Sequence, residues 1–395
     1  MNPKTYRLCP VCSFDGIRSL HRQRFVALEH HPIGEAYDVA VCQNCGMVFA
    51  DVSVTQAMLD EYYSLSSKYA DTTLSTGAGE SSWDKSRLEA AAARISNALE
   101  GATERTILDI GCATGGLLAA MARLGYHNLS GVDPSQACAE ASAASSGATT
   151  WVGSLTELGS TGLWDCIVLS HTLEHVVGVK NAMVEICRRI TPGGLLYIET
   201  PDARRYADYL TTPYQEFNTE HINHFSGTCL ENVLRLSGFA EISSDVGELQ
   251  SSATSTYPIV YAFGRRASGP RQPIQRDLTL VNEVERYISA SELMMTVMRR
   301  RLEKFVLLGS LIVWGTGQLT MKLLADTVLR NADILAFVDA NPVNWGKALL
   351  GRQVQPPENI VGSTVPILIA STLHEATIRQ QIGEMGLNNP ILSLL

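Results

Sequence analysis

In Thr106-Ile-Leu-Asp-Ile-Gly111-Cys-Ala-Thr-Gly115-Gly-Leu-Leu118 an apolar run closes on a glycine turn and reopens as a second apolar run. Ile107 to Ile110 reads as a buried strand, and a helix is expected to start near Gly115. Asp109 stands two residues before the first glycine, and Asp133, in Ser130-Gly-Val-Asp133-Pro-Ser, follows it by 24 residues at the end of the next expected strand. A carboxylate at that strand end can take two ribose hydroxyls, while Asp109 is placed to face a cationic amino-acid group. The glycine spacing is Gly111-x-x-x-Gly115, not the G-x-G-x-x-G that a pyrophosphate needs. The missing Cβ atoms are expected to let a ligand lie against the backbone.

Working outward, strand-like and helix-like stretches alternate: Leu129 to Val132, Thr150 to Val152, Cys166 to Ser170 and Leu195 to Glu199 are the further strands. Such alternation predicts an α/β fold with a mostly parallel sheet, helices on both faces and ligands beyond the carboxyl ends of the strands. Residues 64–82 are rich in Ser, Thr and Gly and read as a linker or lid, and the Pro, Gly and Arg content of 264–275 marks a boundary. After it, Asp277 to Phe305 reads as one long helix whose Met294, Met295 and Met298 form packing surface. Strands at 311–314, 334–339 and 365–370 then give a second, smaller α/β domain. The expected segments are 1–65, 66–265 and 266–395.

The chain has 395 residues with 31 Lys+Arg against 40 Asp+Glu, a formal net charge of -9, which argues against a bulk electrostatic grip on nucleic acid or a membrane surface. No apolar run approaches the ~20 residues of a membrane span. None precedes Cys9 either, so a cytoplasmic location is the expectation. Among nine cysteines, Cys9, Cys12, Cys42 and Cys45 form two C-x2-C pairs 29 residues apart. Two such knuckles suit a closed, structural zinc site of four thiolates. His21, His30 and His31 lie between them and are expected to be surface or loop residues.

Residues 106–200 resemble a class I S-adenosylmethionine-dependent methyltransferase of Rossmann-like fold. Asp109, Gly111 and Gly115 match its first motif and Asp133 its ribose-binding acid, while Ser154 stands where the adenine contact is usually an Asp. Trp164-Asp-Cys-Ile-Val-Leu-Ser170-His171-Thr-Leu-Glu-His175 matches its fourth motif. The cofactor set implied by the resemblance is Asp109, Gly111, Ala113, Gly115, Asp133, Ser154, Ser170 and His171.

With its flanks, including Val313-Trp-Gly-Thr-Gly317, Phe337-Val-Asp339 and Pro357-Glu358, the chain is similar to the three-domain sugar C-methyltransferases that act on nucleotide-linked keto-deoxysugars. Phe217-Asn-Thr-Glu220-His221-Ile-Asn-His224-Phe225-Ser226 resembles that family's base-bearing loop. The resemblance implies His221 as the base with Glu220 beside it, His175 near the substrate and Tyr63 as a donor to the sugar oxygen. Asn218 and His224 replace two tyrosines of the family pattern, which keeps O-methylation of a sugar or other small molecule open. An S-adenosylmethionine-binding assembly protein without catalysis is the reading from another class. The tail pairs Gly315-Thr-Gly317 with Asp339 but carries Thr320 where a third glycine would stand, so a nucleotide-sugar scaffold is expected there ahead of an NAD site. The expected partner is thus a small nucleotide sugar, with no nucleic-acid polymer and no membrane; the oligomeric state is open.

Overall fold

The computed structural model describes residues 6–28, 31–65, 82–155, 158, 162–250 and 255–395. Its strands are β1 (Ile17–Arg24), β2 (Ala36–Cys42), β3 (Val48–Asp51), β4 (Ile107–Ile110), β5 (Leu129–Asp133), β6 (Thr149–Val152), β7 (Trp164–Ser170), β8 (Ile190–Pro201), β9 (Asn223–His224), β10 (Phe239–Gln250), β11 (Thr256–Arg266), β12 (Leu311–Trp314), β13 (Ile334–Val338), β14 (Ala348–Leu349), β15 (Arg352–Gln355), β16 (Ile367–Ile369) and β17 (Ile391–Ser393). The helices are α1 (Gln56–Leu65), α2 (Ser82–Ala98), α3 (Gly116–Arg123), α4 (Gln136–Ser146), α5 (Val179–Arg189), α6 (Gly227–Leu236), α7 (Leu280–Val306), α8 (Gln318–Asp326) and α9 (Glu375–Glu384). Among the described residues no helix is long and apolar enough to cross a membrane. The stretch expected as a linker or lid falls, from 66 to 81, outside the described residues, as does His30.

Contacts gather the chain into two units where three consecutive segments were expected. The first comprises Met1–Ser19, Ala40–Tyr209 and Glu220–Glu283; the second comprises Leu20–Val39, Leu210–Thr219 and Val284–Leu395. The N-terminal knuckles join the first unit for a physical reason. The Arg7 backbone N–H donates to Asp51 Oδ1, and its guanidinium donates to the carbonyls of Val177 and Ile222 and to Asn223 Oδ1 while lying over the Phe49 ring. Burial pulls the Arg7 guanidinium down to about 10. Asp277, just ahead of α7, is tied to the same unit: its N–H donates to the Cys45 carbonyl, and its carboxylate accepts from Ser226 Oγ and the Leu280 N–H.

The first unit is built on a seven-stranded sheet in the order β10-β11-β8-β7-β4-β5-β6. β6, β5, β4, β7 and β8 run parallel, whereas β11 lies antiparallel to β8 and β10 antiparallel to β11. Strand order reverses at β4, the place where an open α/β sheet forms its ligand crevice. All four β4 residues are buried, as is expected of a central strand covered on both faces. Ala91, Ile95, Leu118, Met121, Cys166 and Tyr197 belong to the apolar layer packed on this sheet. Elsewhere in this unit β3 pairs antiparallel with β9, with Val48 opposite His224 and Phe49 opposite Asn223.

The second unit holds a six-stranded sheet, β14-β15-β13-β12-β16-β17, parallel except for the β14–β15 hairpin. Met295 and Met298 on α7 are fully buried, in keeping with a packing role, and so are Val284, Tyr287 and Leu302. The early segment belongs here through side-chain bonds: Gln23 Nε2 donates to the Phe217 carbonyl, Tyr37 OH to the Asn218 carbonyl, and Lys322 Nζ to Gln23 Oε1. His21 is therefore a strand residue, stacked on Tyr214 at 4.5 Å and pushed down to about 4 by burial and by Lys322. Asp339 accepts from the Thr316 N–H at 2.8 Å and from Thr316 Oγ1 at 2.5 Å, and Thr320 Oγ1 donates to the Gly315 carbonyl. The carboxylate that a dinucleotide ribose would need is engaged by the protein's own loop.

Gly115 shows how tightly the β4 turn is specified. It has φ +84°, and a Cβ there would lie 2.6 Å from Ser142 Oγ and 2.7 Å from the Ser142 backbone. Gly101 also has positive φ (+71°) but open space around it. Gly115→Ala should cost about 3 kcal/mol, backbone strain plus overpacking, against about 1 kcal/mol for Gly101→Ala. Urea unfolding of the two variants, followed by tryptophan fluorescence, checks the difference; equal losses would mean that the contact with α4 contributes nothing.

Candidate active site

The turn after β4 and the carboxylate ending β5 are joined directly. Asp133 Oδ2 accepts the Ala113 N–H and Oδ1 accepts the Ser135 N–H, each at 2.9 Å, so both oxygens keep a lone pair for a ligand. The Gly153 N–H donates to the Asp133 carbonyl, which brings buried Ser154 to the same edge. Asp109 is wholly enclosed; burial first, and then the charge of Asp133, push it up to about 7, with no cation among the causes. An unpaired, buried carboxylate of this kind suits a cationic ligand group.

The glycines act differently from the expectation that ligand replaces their side chains. A Cβ at Gly111 would meet Thr172 Oγ1 at 2.6 Å, and one at Gly115 would meet Ser142. Neighbouring protein atoms occupy both places, and the residues are needed for positive φ (+77° and +84°). Ala113, at φ 45°, sits in the same strained turn. Thr172 Oγ1 donates to the Ile110 carbonyl at 2.9 Å, so the segment after β7 is fastened to the turn after β4.

That segment carries the second half of the site. His175 closes a 3-10 turn, Leu173–His175, and α5 begins only at Val179. His175 Nδ1 lies 3.0 Å from Tyr63 OH on α1 and 3.0 Å from the Glu220 carbonyl. The His221 ring stands edge-on to it, centroids 5.1 Å apart. Tyr63, His175, Glu220 and His221 are thus brought together, with Glu220 meeting His175 through its backbone carbonyl. The His221 loop is docked by the Ile222 N–H on the Glu174 carbonyl and by Asn223 Nδ2 on the carbonyls of Leu173 and Val176. α1 is docked by Gln56 Oε1, which accepts the Val177 N–H.

Ser170 and His171 end β7 beside buried carboxylates. Ser170 Oγ donates to Glu199 Oε1 at 3.4 Å. His171, at φ 53°, places Nδ1 3.3 Å from Glu174 and Nε2 3.4 Å from Glu199. Burial opposes its charge, but the close approach and attraction of Glu174 and Glu199 raise it to about 9, so it stays an imidazolium at neutral pH. Glu199 also pairs with Arg94 and accepts from Tyr197 OH. His224, which replaces a family tyrosine, is fully buried with Nδ1 3.4 Å from Tyr206 OH, and burial, then His221 and Arg7, bring it down to about 3. Glu174, Glu199, Arg94 and Asn223 were not singled out by the sequence reading. Glu174 was visible only as the residue before His175.

In the N-terminal segment the sulfurs of Cys9, Cys12, Cys42 and Cys45 all lie within 4.8 Å of one another. Cys9 Sγ to Cys45 Sγ is 3.6 Å and Cys12 Sγ to Cys42 Sγ is 3.5 Å. A tetrahedral metal with bonds of about 2.3 Å requires sulfurs roughly 3.8 Å apart, so the donors fit zinc with slight expansion. No histidine belongs to this cluster among the described residues.

Residues 83–244 match a family described as methyltransferase domain, and residues 309–391 match one described as C2185-like, N-terminal. No curated protein matches the chain. Among solved structures, the 1,6-didemethyltoxoflavin-N1-methyltransferase of Burkholderia thailandensis, with 1,6-didemethyltoxoflavin and S-adenosylhomocysteine bound, is 15% identical, covering 58% of this chain and 98% of its own, with a TM-score of 0.40. The magnesium protoporphyrin IX methyltransferase of Synechocystis, with bound S-adenosylhomocysteine, is 15% identical over 46% of this chain and 83% of its own, TM-score 0.37. A SAM-dependent methyltransferase of Methanosarcina mazei is 20% identical over 42% and 93%, TM-score 0.35. Residues 83–244 are a methyltransferase domain, and the chain is a methyltransferase.

If Asp109 faces the cationic end of adenosylmethionine, cofactor binding is pH-dependent. Its value lies above the ordinary carboxyl range, so the empty protein takes up a proton as pH falls through about 7. A cationic ligand favours the carboxylate, and that proton must leave on binding. Affinity for adenosylmethionine should therefore drop below pH 7, by up to about tenfold per unit. Calorimetry from pH 5.5 to 8.5 should show this slope in the wild type and a flat profile in Asp109→Asn; a flat wild-type profile removes Asp109 from the cofactor's cationic end.

Proposed function

We propose that the chain methylates the carbon beside the keto group of a nucleotide-linked keto-deoxysugar. The observation that carries this reading is the convergence of Tyr63, His175 and His221 on a turn fastened to the cofactor loop through Thr172. Asp133 would hold the ribose hydroxyls, with Asp109 facing the amino-acid end and Ser154 near the base. When bound, adenosylmethionine supplies an electrophilic methyl group. The residues of the chain handle the proton: His221 takes it from the carbon beside the ketone, and the Tyr63 hydroxyl donates to the oxygen as negative charge develops there. The His175 contact holds that phenol in place.

A second reading is transfer to a hydroxyl. It is favoured by His224, which stands fully buried on β9 where the resembled family carries a tyrosine. Incubation with labelled adenosylmethionine and a panel of keto- and hydroxy-sugar nucleotides, followed by carbon NMR of the methyl group, separates the two. A methyl on carbon supports the first reading and a methyl on oxygen the second.

His221→Asn should lower turnover by roughly 10²-fold to 10⁴-fold while adenosylmethionine still binds. It should also stop solvent deuterium exchange beside the ketone when adenosylhomocysteine occupies the cofactor site. Exchange that persists in His221→Asn but disappears in His175→Asn would make His175 the base.

The four cysteines are assigned to one structural zinc per chain. The knuckle ending at Cys45 leads directly into β3, whose pairing with β9 positions the His221 loop. Metal analysis should find one zinc, and Cys42→Ser should lower stability and turnover together. A fully stable, zinc-free protein would sink the assignment.

A further inference from the structure

Glu174 is 1% exposed, and no donor reaches either carboxylate oxygen in hydrogen-bonding geometry. Its neighbours are three imidazoles. His171 Nδ1 and His175 Nε2 lie 3.3 Å and 3.9 Å from Oε1, and a His221 ring nitrogen completes a group whose atoms, with those of Glu174 and His175, lie within 4.8 Å of one another. Beyond His171 stand Glu199 and its partner Arg94. Burial would raise the carboxyl, but the close approach of His171 and attraction to His175, His171 and His221 hold it below the usual range.

The tautomer of His175 follows from its other contact. Nδ1 faces the Glu220 carbonyl at 3.0 Å, which only accepts, and the Tyr63 hydroxyl at 3.0 Å, which accepts as readily as it donates, so a proton on Nδ1 satisfies both contacts in the neutral ring. Nε2, the nitrogen turned toward Glu174, is then the basic one. A neutral His175 aims a lone pair at a carboxylate oxygen, and a proton on Nε2 relieves that opposition. A side chain that only filled this space would be better uncharged, because a buried carboxylate without backbone donors costs several kcal/mol.

We propose that Glu174 is the positioning residue of the histidine pair, its buried charge orienting His175 and His221 and stabilising the proton that they take up. The carboxylate serving the base is then Glu174, three residues from the cofactor-side His171, in place of Glu220. This rests on the reading of His221 as the base.

The test uses the full chain and the isosteric Glu174→Gln. Adenosylmethionine affinity and the unfolding midpoint show whether the variant is intact. Solvent exchange into a keto-sugar nucleotide, with adenosylhomocysteine bound, is followed from pH 5.5 to 9. Glu174→Gln should bind adenosylmethionine within about twofold of wild type, exchange roughly 10-fold to 100-fold more slowly, and move the acid limb of the profile about one unit lower, since removing a nearby negative charge disfavours the imidazolium. Glu174→Asp should recover part of both, and it carries the test alone if Glu174→Gln does not fold. An acid limb that stays in place in an intact variant overturns the proposal, as does a limb moved by Glu220→Gln and not by Glu174→Gln. Exchange that requires added Mg2+ or Mn2+ also overturns it, because the three groups would then be a ligand set. If the wild type shows no exchange, the His221 reading is what fails. The imidazole NMR titration of His175, the ring whose Nε2 faces the carboxylate, then judges Glu174: it should move in Glu174→Gln, and an unmoved titration overturns it.

Discussion

The docking of the Glu220–Asn223 segment on the Leu173–Val176 turn is the constraint from which the site follows. Neither segment has extended secondary structure of its own: one is a single 3-10 turn, the other runs into a two-residue strand. They are held by bonds that cross 45 to 50 residues of sequence, from His175 to the Glu220 carbonyl and from Asn223 to the Leu173 carbonyl. Arg7 reinforces the junction from a third direction by donating to the Val177 and Ile222 carbonyls. Buried carbonyls on irregular backbone need such donors, and here one guanidinium and one amide supply them. Because the turn also reaches the Ile110 carbonyl through Thr172, the end of β4 and the His175–His221 cluster are tied to the same turn.

Alternating charge gives that structure its second element of order. Arg94, Glu199, His171 and Glu174 form a row in which each carboxylate touches a cation. His171 occupies a left-handed backbone conformation, φ 53°, that a histidine adopts only at some cost. Its N–H to the Glu199 carbonyl and its ring between two carboxylates oppose that cost from both ends. The row runs along the carboxyl edge of β7 and β8, the edge where an open parallel sheet presents its ligands.

Much of this was legible in the residues. The β4 turn, Asp133 at the end of β5, the alternation of strands and helices and the two Cys pairs each carry a local pattern, and each lies where that pattern put it. What escaped depended on contacts far apart in sequence. Leu20–Val39 and Leu210–Thr219 are bonded to each other by Gln23 and Tyr37 on the carbonyls of Phe217 and Asn218, and to α8 by Lys322 on Gln23, contacts that no linear division of the chain could reveal. Glu174 reads as one more charged residue in Leu-Glu-His. Only the 3-10 turn, which buries both Leu173 and Glu174, turns it inward. The glycines were found for an incomplete reason, since protein atoms and positive φ explain them without a ligand.

The same arrangement limits what can be cut from the chain. The stretch that matches the methyltransferase family, residues 83–244, contains the β4 turn, Asp133 and both histidines. It lacks Tyr63, Gln56, the β3 strand that pairs with β9, and Arg7. A fragment trimmed to those borders would keep the β4 turn and Asp133 but lose every one of these supports of the His175–His221 cluster. In modular terms the matched stretch is not structurally self-contained: its bonds reach back to Arg7, and β3, which follows the second cysteine knuckle, is part of its frame.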